Sequence, residues 1–153
     1  MDKRRLAAAT VVMVLITAAT LLQLVFLGGL MIVGAAGPSF SVSHRPCAVK
    51  PASTETYYFN VTNTGTSTIV QVNITYHPSW VLVDVDAPSG WSSTHDAANH
   101  RVMFVWHVGD ANKLKPGTWK QFGLKLTAPN AIASYKFTVT CTDTLSLSTS
   151  RNR

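Results

Sequence analysis

Residues 57–75 read YYFNVTNTGTSTIVQVNIT. In the first half, Tyr57, Phe59 and Val61 fall on one side of an extended chain, and Tyr58, Asn60 and Thr62 fall on the other. After the turn signal Asn63-Thr64-Gly65 the pattern resumes. Val70, Val72, Ile74 and Tyr76 there alternate with Gln71, Asn73 and Thr75. Alternation at a period of two predicts half-buried antiparallel strands with one wet face.

The same reading extends outward. In Ser134–Thr142, Tyr135, Phe137, Val139 and Cys141 alternate with Lys136, Thr138 and Thr140. The runs Ser39–Ser43, Trp80–Asp86, Arg101–Val108 and Thr118–Ala128 fit less cleanly. Between the runs lie His77-Pro78, Pro88-Ser89-Gly90, Gly109-Asp110, Lys115-Pro116-Gly117 and Ala128-Pro129-Asn130, all turn chemistry. Seven short strands with no amphipathic helix among them predict an all-β sandwich over residues 38–144, leaving 145–153 as a tail, with a last strand fraying into a disordered end as its alternative.

The apolar weight of the chain is concentrated before this domain. From Leu6 to Gly37 there is no charge, and the polar breaks are Thr10, Thr17, Thr20 and Gln23. This run of roughly thirty residues exceeds the ~20 that cross a bilayer as a helix. It is about twice the 7–15-residue core of a secretory signal. A retained transmembrane helix over 6–37 is therefore expected, with cleavage near Gly34-Ala35-Ala36 as the alternative. Lys3, Arg4 and Arg5 precede the run, so the positive-inside rule keeps residues 1–5 cytoplasmic and exports the rest.

The exported part carries ten Lys/Arg against six acids, a net +4. That favours mild attraction to an anionic polymer or lipid surface. The basic residues are scattered and no binding motif accompanies them, which excludes a nucleic-acid reader. Cys47 and Cys141 are the only cysteines. On the exported side an even pair predicts a disulfide, with two free thiols as the alternative. Two sequons, Asn60-Val61-Thr62 and Asn73-Ile74-Thr75, place their asparagines on polar strand faces as glycosylation candidates.

The motifs "YYFNVTNTGTSTIVQVNIT", "APSGW", "LKPGTWKQFGLKLTAP" and "SYKFTVTCT" together resemble the immunoglobulin-like domains of the NEW3 and CARDB type over roughly Ala52 to Asp143. The resemblance implies a seven-stranded immunoglobulin-like sandwich that serves as an accessory or spacer module of exported proteins, common in archaeal and bacterial envelopes. Its motifs are turn chemistry and packing. They specify fold and carry no activity.

Catalytic chemistry finds little support in the residues. No serine stands in Gly-x-Ser-x-Gly. Asp84 and Asp86 share one side of a strand but lack the further oxygen ligands of a Ca²⁺ shell. His95 and His100 lie in "STHDAANH", read as a polar loop; they are weak candidates for a metal, and solvated histidines are the plainer reading. No catalytic residue and no cofactor are expected. In Arg101–Val108, Val102, Phe104, Trp106 and Val108 form one face, and Met103, Val105 and His107 the other. Trp106 is expected to be core. Met103 and Val105 are interface candidates because large exposed apolar patches are unusual on monomers.

The expectation is a non-catalytic single-pass protein with residues 6–37 in membrane lipid, its β-domain outside, and a protein partner in an envelope assembly. Two rivals stand beside it. A pilin-like filament subunit would carry the same helix in a filament core, and an exported metal-binding protein would use the histidines.

Overall fold

The computed structural model describes residues 37–145 and 147–152. The leader and all but the last residue of the expected apolar helix lie outside them. The strands are β1 (Phe40–Arg45), β2 (Thr54–Asn63), β3 (Ile69–Thr75), β4 (Val81–Asp86), β5 (Trp91–Asp96), β6 (Arg101–Trp106), β7 (Trp119–Thr127), β8 (Thr138–Asp143) and β9 (Ser148–Asn152). Every pairing between them is antiparallel. The first sheet has the order β1-β2-β7-β4 and the second β5-β6-β3-β8-β9.

The inward residues of both sheets meet in one core. Phe40, Tyr57, Phe59 and Val61 come from β1 and β2, Phe122, Leu124 and Leu126 from β7, and Val72, Ile74, Val102, Phe104, Val139 and Cys141 from the second sheet. Each fully buried aliphatic or aromatic side chain contributes about 1.5–3 kcal/mol of transfer free energy. Phe122 packs edge-on against Trp91 and tilted against Phe104, tying the sheets together at ring distances of 5.2 and 4.9 Å.

Among the described residues nine strands stand in place of the seven expected. β5 and β9 lie at the two edges of the second sheet, where an exposed strand needs no apolar alternation. Ile69, not Val70, enters the core. A β-bulge at that point puts Ile69 and Val72, three residues apart, on the same side. A second bulge falls in edge strand β4 between Leu82 and Asp84 and leaves Val83 exposed. Residues 134–137 are irregular rather than strand, although Phe137 is buried.

The turn motifs have local causes. In Pro88-Ser89-Gly90-Trp91 the Trp91 N–H donates to the Pro88 carbonyl at 3.0 Å. Gly90 sits at φ +78, and a Cβ there would strike the Val108 carbonyl and Asn112, so only glycine fits. That turn aims Trp91 inward, where its indole donates to the Asn112 carbonyl at 2.7 Å. At the Asn63 turn, Asn63 is fully buried and satisfied on both sides of its amide. It donates to the Ser67 and Leu114 carbonyls at 2.8 and 2.9 Å and accepts from Gly65 at 3.0 Å. Ser67 in turn donates to buried Asp143 at 2.7 Å, so this polar network joins the two sheets at the end where Gly37 enters beside Ser148 and Thr149.

The expected disulfide does not form. Cys47 and Cys141 are both free, the first exposed and the second buried. Cys47 follows β1 in the first sheet and donates weakly to the His44 carbonyl. The His44 ring lies 5.8 Å from Phe137. Cys141 is four residues further along the chain, roughly 13 Å for an extended strand. A disulfide needs Cα atoms within about 7 Å.

Candidate functional site

The outer face of the second sheet presents three transverse rows, fixed by strand register. The first is Ser92–Val105–Gln71–Thr142–Ser148 and the second Thr94–Met103–Asn73–Thr140–Ser150. The third is Asp96–Arg101–Thr75–Thr138–Asn152. Met103 is half-buried and Val105 is 40% exposed, so the two interface candidates sit together on the wet side of β6.

Their surroundings are small, polar and mutually satisfied. Gln71 Nε2 donates to Asn73 Oδ1 at 3.0 Å. Across β8 and β9, Thr140 and Ser150 share a hydrogen bond of 2.8 Å, as do Thr142 and Ser148, and Thr138 donates to Asn152 at 3.0 Å. The charges in these rows are Asp96 and Arg101, paired at 2.7 Å. Hydrogen bonds from Asn99, reinforced by Arg101, outweigh desolvation and hold the Asp96 carboxyl below its ordinary range. The face is thus electrically quiet, with an apolar pair on β6 near one edge and a hydroxyl-rich flank toward the other.

The other candidates are dispersed. Asn60 lies on the outer face of the first sheet and accepts from Gln121 at 3.0 Å, so each sheet carries one sequon on its wet side. Asp84 and Asp86 point outward from β4, opposite Lys125 and Gly123. His95 is on strand β5 and not in a loop, and His100 closes the following turn in left-handed backbone. Both imidazoles pack on Tyr76, whose hydroxyl shares a 2.7 Å hydrogen bond with His95 Nε2. Burial raises the Tyr76 phenol. Among the described residues no three His, Cys, Asp or Glu side chains gather as a metal group.

Two features escaped the sequence reading. Trp119 is 61% exposed on the outer face of β7, opposite Thr62. At the end of the sandwich away from Gly37 there is a cavity of about 370 Å³. It is walled by His44, Cys47, Tyr57, Trp80, Tyr135 and Phe137, together with the irregular segment 131–134. Its walls come from four separate stretches of chain, so no local pattern announces it.

No family model matches the chain, and no curated protein matches it in sequence. Solved structures do match. One is an uncharacterized protein from Nocardia farcinica with an immunoglobulin-like fold, at a TM-score of 0.57 and 15% identity over 71% of this chain and 81% of that one. Another is a type I cohesin–dockerin complex from Clostridium thermocellum, at 0.51 and 12% over 74% and 88%. The sixth cohesin of Acetivibrio cellulolyticus scaffoldin B, solved with a dockerin, matches at 0.50 and 14% over 74% and 96%. At these identities the likeness defines the class of fold: an immunoglobulin-like, cohesin-type β-sandwich.

Proposed function

We propose that this chain is a non-catalytic interaction module of the cell envelope, held by a single membrane-spanning helix over residues 6–37 with its β-domain outside. The helix rests on the uncharged run behind Lys3, Arg4 and Arg5. The NEW3/CARDB-like turn motifs support an accessory role. The cohesin structures that share the fold were solved with dockerin partners, which is the precedent for such a sandwich as a docking module.

The observation that carries the reading is the placing of Met103 and Val105 together on β6, beside edge strand β5, on a sheet face whose few charges neutralise each other. Such a face loses little by desolvation and gains from covering its apolar pair. The test is co-purification of the full-length chain from membranes in mild detergent, with wild type beside Val105→Glu. The reading expects a partner to accompany wild type and to be lost from a folded variant. A chain that leaves the membrane with no companion, or a variant that keeps it, overturns the proposed surface. Recovery of the chain in detergent-resistant filaments would establish the pilin reading instead.

A further inference from the structure

The cavity opposite Gly37 is a separate matter from the sheet face. Its walls are aromatic: Trp80 meets Tyr57 and Tyr135 edge-on at 5.3 and 5.4 Å and lies 6.0 Å from Phe137. Trp80 is 6% exposed, and its indole N–H is buried without an acceptor. A buried donor left unpaired costs on the order of 1–3 kcal/mol, so native proteins rarely leave one without a reason. Tyr57 stands beside it. Burial, with Glu55 adding to it, pushes that phenol up to about 12, so it too is a protonated donor. The sandwich therefore holds a recess with aromatic walls, a buried indole N–H behind one of them, and the Tyr57 hydroxyl as a donor in the same ring of side chains.

We propose that this cavity is a binding site for an uncharged ring-bearing group that carries an acceptor oxygen, the ring seated against Trp80 and Phe137 and the oxygen accepting from the Tyr57 hydroxyl. The volume of about 370 Å³ falls at the small end of ligand pockets. It suits a free small molecule or one side chain of a peptide, and it is too small for a folded partner. The chemistry asked of the two is the same.

The experiment uses the full-length chain in lipid nanodiscs with 5-fluorotryptophan at its four tryptophans, all of which lie in the described domain. Acetanilide, a phenyl ring with a carbonyl, is titrated while ¹⁹F spectra are recorded; ethylbenzene serves as the ring without an acceptor. A saturable shift of the Trp80 signal, with exposed Trp119 unmoved, is expected for acetanilide, with about tenfold weaker binding for ethylbenzene. A short peptide bearing N-acetylphenylalanine distinguishes a peptide source from a free one by its relative affinity. Ala131→Phe, a change at an exposed position lining the recess, should fill it and abolish the shift without lowering the melting temperature. No saturable shift up to the solubility limit, equal binding of both compounds, or an unchanged response in Ala131→Phe would each overturn the proposal.

Discussion

Asn73 and Met103 stand directly opposite one another on β3 and β6, with Thr140 on the other side of Asn73. The second sequon and the proposed docking centre are therefore neighbours on one face. Opposed residues on a shared sheet face lie about 4.5–5.5 Å apart, a gap that a single sugar ring would cover. Asn60 belongs to the opposite sheet.

A glycan on Asn73 is accordingly expected to block partner capture, and one on Asn60 to leave it intact. Expression in an N-glycosylating host with Asn60→Gln or Asn73→Gln leaves one sequon at a time. Capture of the co-purifying partner, scored against glycan occupancy by mass, checks this. An Asn73-glycosylated chain that captures partner at the wild-type level would place docking on another surface.

The tryptophans should rank by environment. Trp91 is 5% exposed, packs on Phe122 and donates to the Asn112 carbonyl. Trp91→Ala is expected to cost about 3–5 kcal/mol. Trp106 is only partly buried; its indole donates to the Val108 and Gly109 carbonyls, and Lys113 lies over its ring at 4.4 Å. Trp106→Ala should cost about 1 kcal/mol, and Trp119→Ala should stay within about 0.5. Urea titrations of the three variants measure the order directly.

Acid should weaken the fold through identifiable carboxylates. At Asp143, burial pulls the pKa up, but hydrogen bonds from Ser67 and from the Leu147 and Leu145 N–H groups together prevail and hold it low. Hydrogen bonds from Lys113 and then Lys115 lower Asp110 to about 2. Both folded values lie below the unfolded carboxylate, near 3.9. Their stabilisation is thus full above about pH 5 and is lost as pH falls through 4 toward the folded values. Asp110 is exposed, so 1 M salt should remove its share and leave that of Asp143. Asp143→Asn is expected to be less stable at pH 7 and to lose less stability on acidification. Thermal melts between pH 3 and 7 in 1 M salt test this, and an acid slope equal to wild type would count against the assignment.

The sequence disclosed the architecture wherever a strand had one apolar and one polar side. Alternation found β2, β3 and β8, and it placed Met103 and Val105 on the wet side of β6. It passed over β5, whose Ser92-Ser93-Thr94-His95 run has no apolar partner residue, and it offered β9, whose Ser-Thr-Ser lacks apolar alternation, only as an alternative reading of the tail. Both are edge strands, held by backbone pairing and side-chain hydroxyls more than by burial. The bulge at Val70 was hidden because a shift of one residue leaves the composition unchanged. Trp106 was over-read as core, since alternation gives a face but not the depth at which a strand end lies. The cysteine pairing failed for a topological reason: parity of the count says nothing about which sheet each residue joins.

Cys141 faces the core from β8, opposite Val72 and Thr149, and is fully buried. Burial pushes its thiol far above the ordinary range, so it has no reactive thiolate at neutral pH. Cys47 is exposed at the rim of the cavity. The native protein should therefore take up one equivalent of an alkylating reagent, at Cys47, and a second only after unfolding in denaturant. Cys47→Ser should abolish the native reaction and leave stability unchanged. Cys141→Ser places a hydroxyl in an apolar site and should cost about 1–3 kcal/mol, whereas Cys141→Val should be tolerated. Intact mass with and without reductant should agree. A loss of two hydrogens in the unreduced chain would mean that the strands bring the two sulfurs together after all, and the separation of β1 and β8 into different sheets would have to be redrawn.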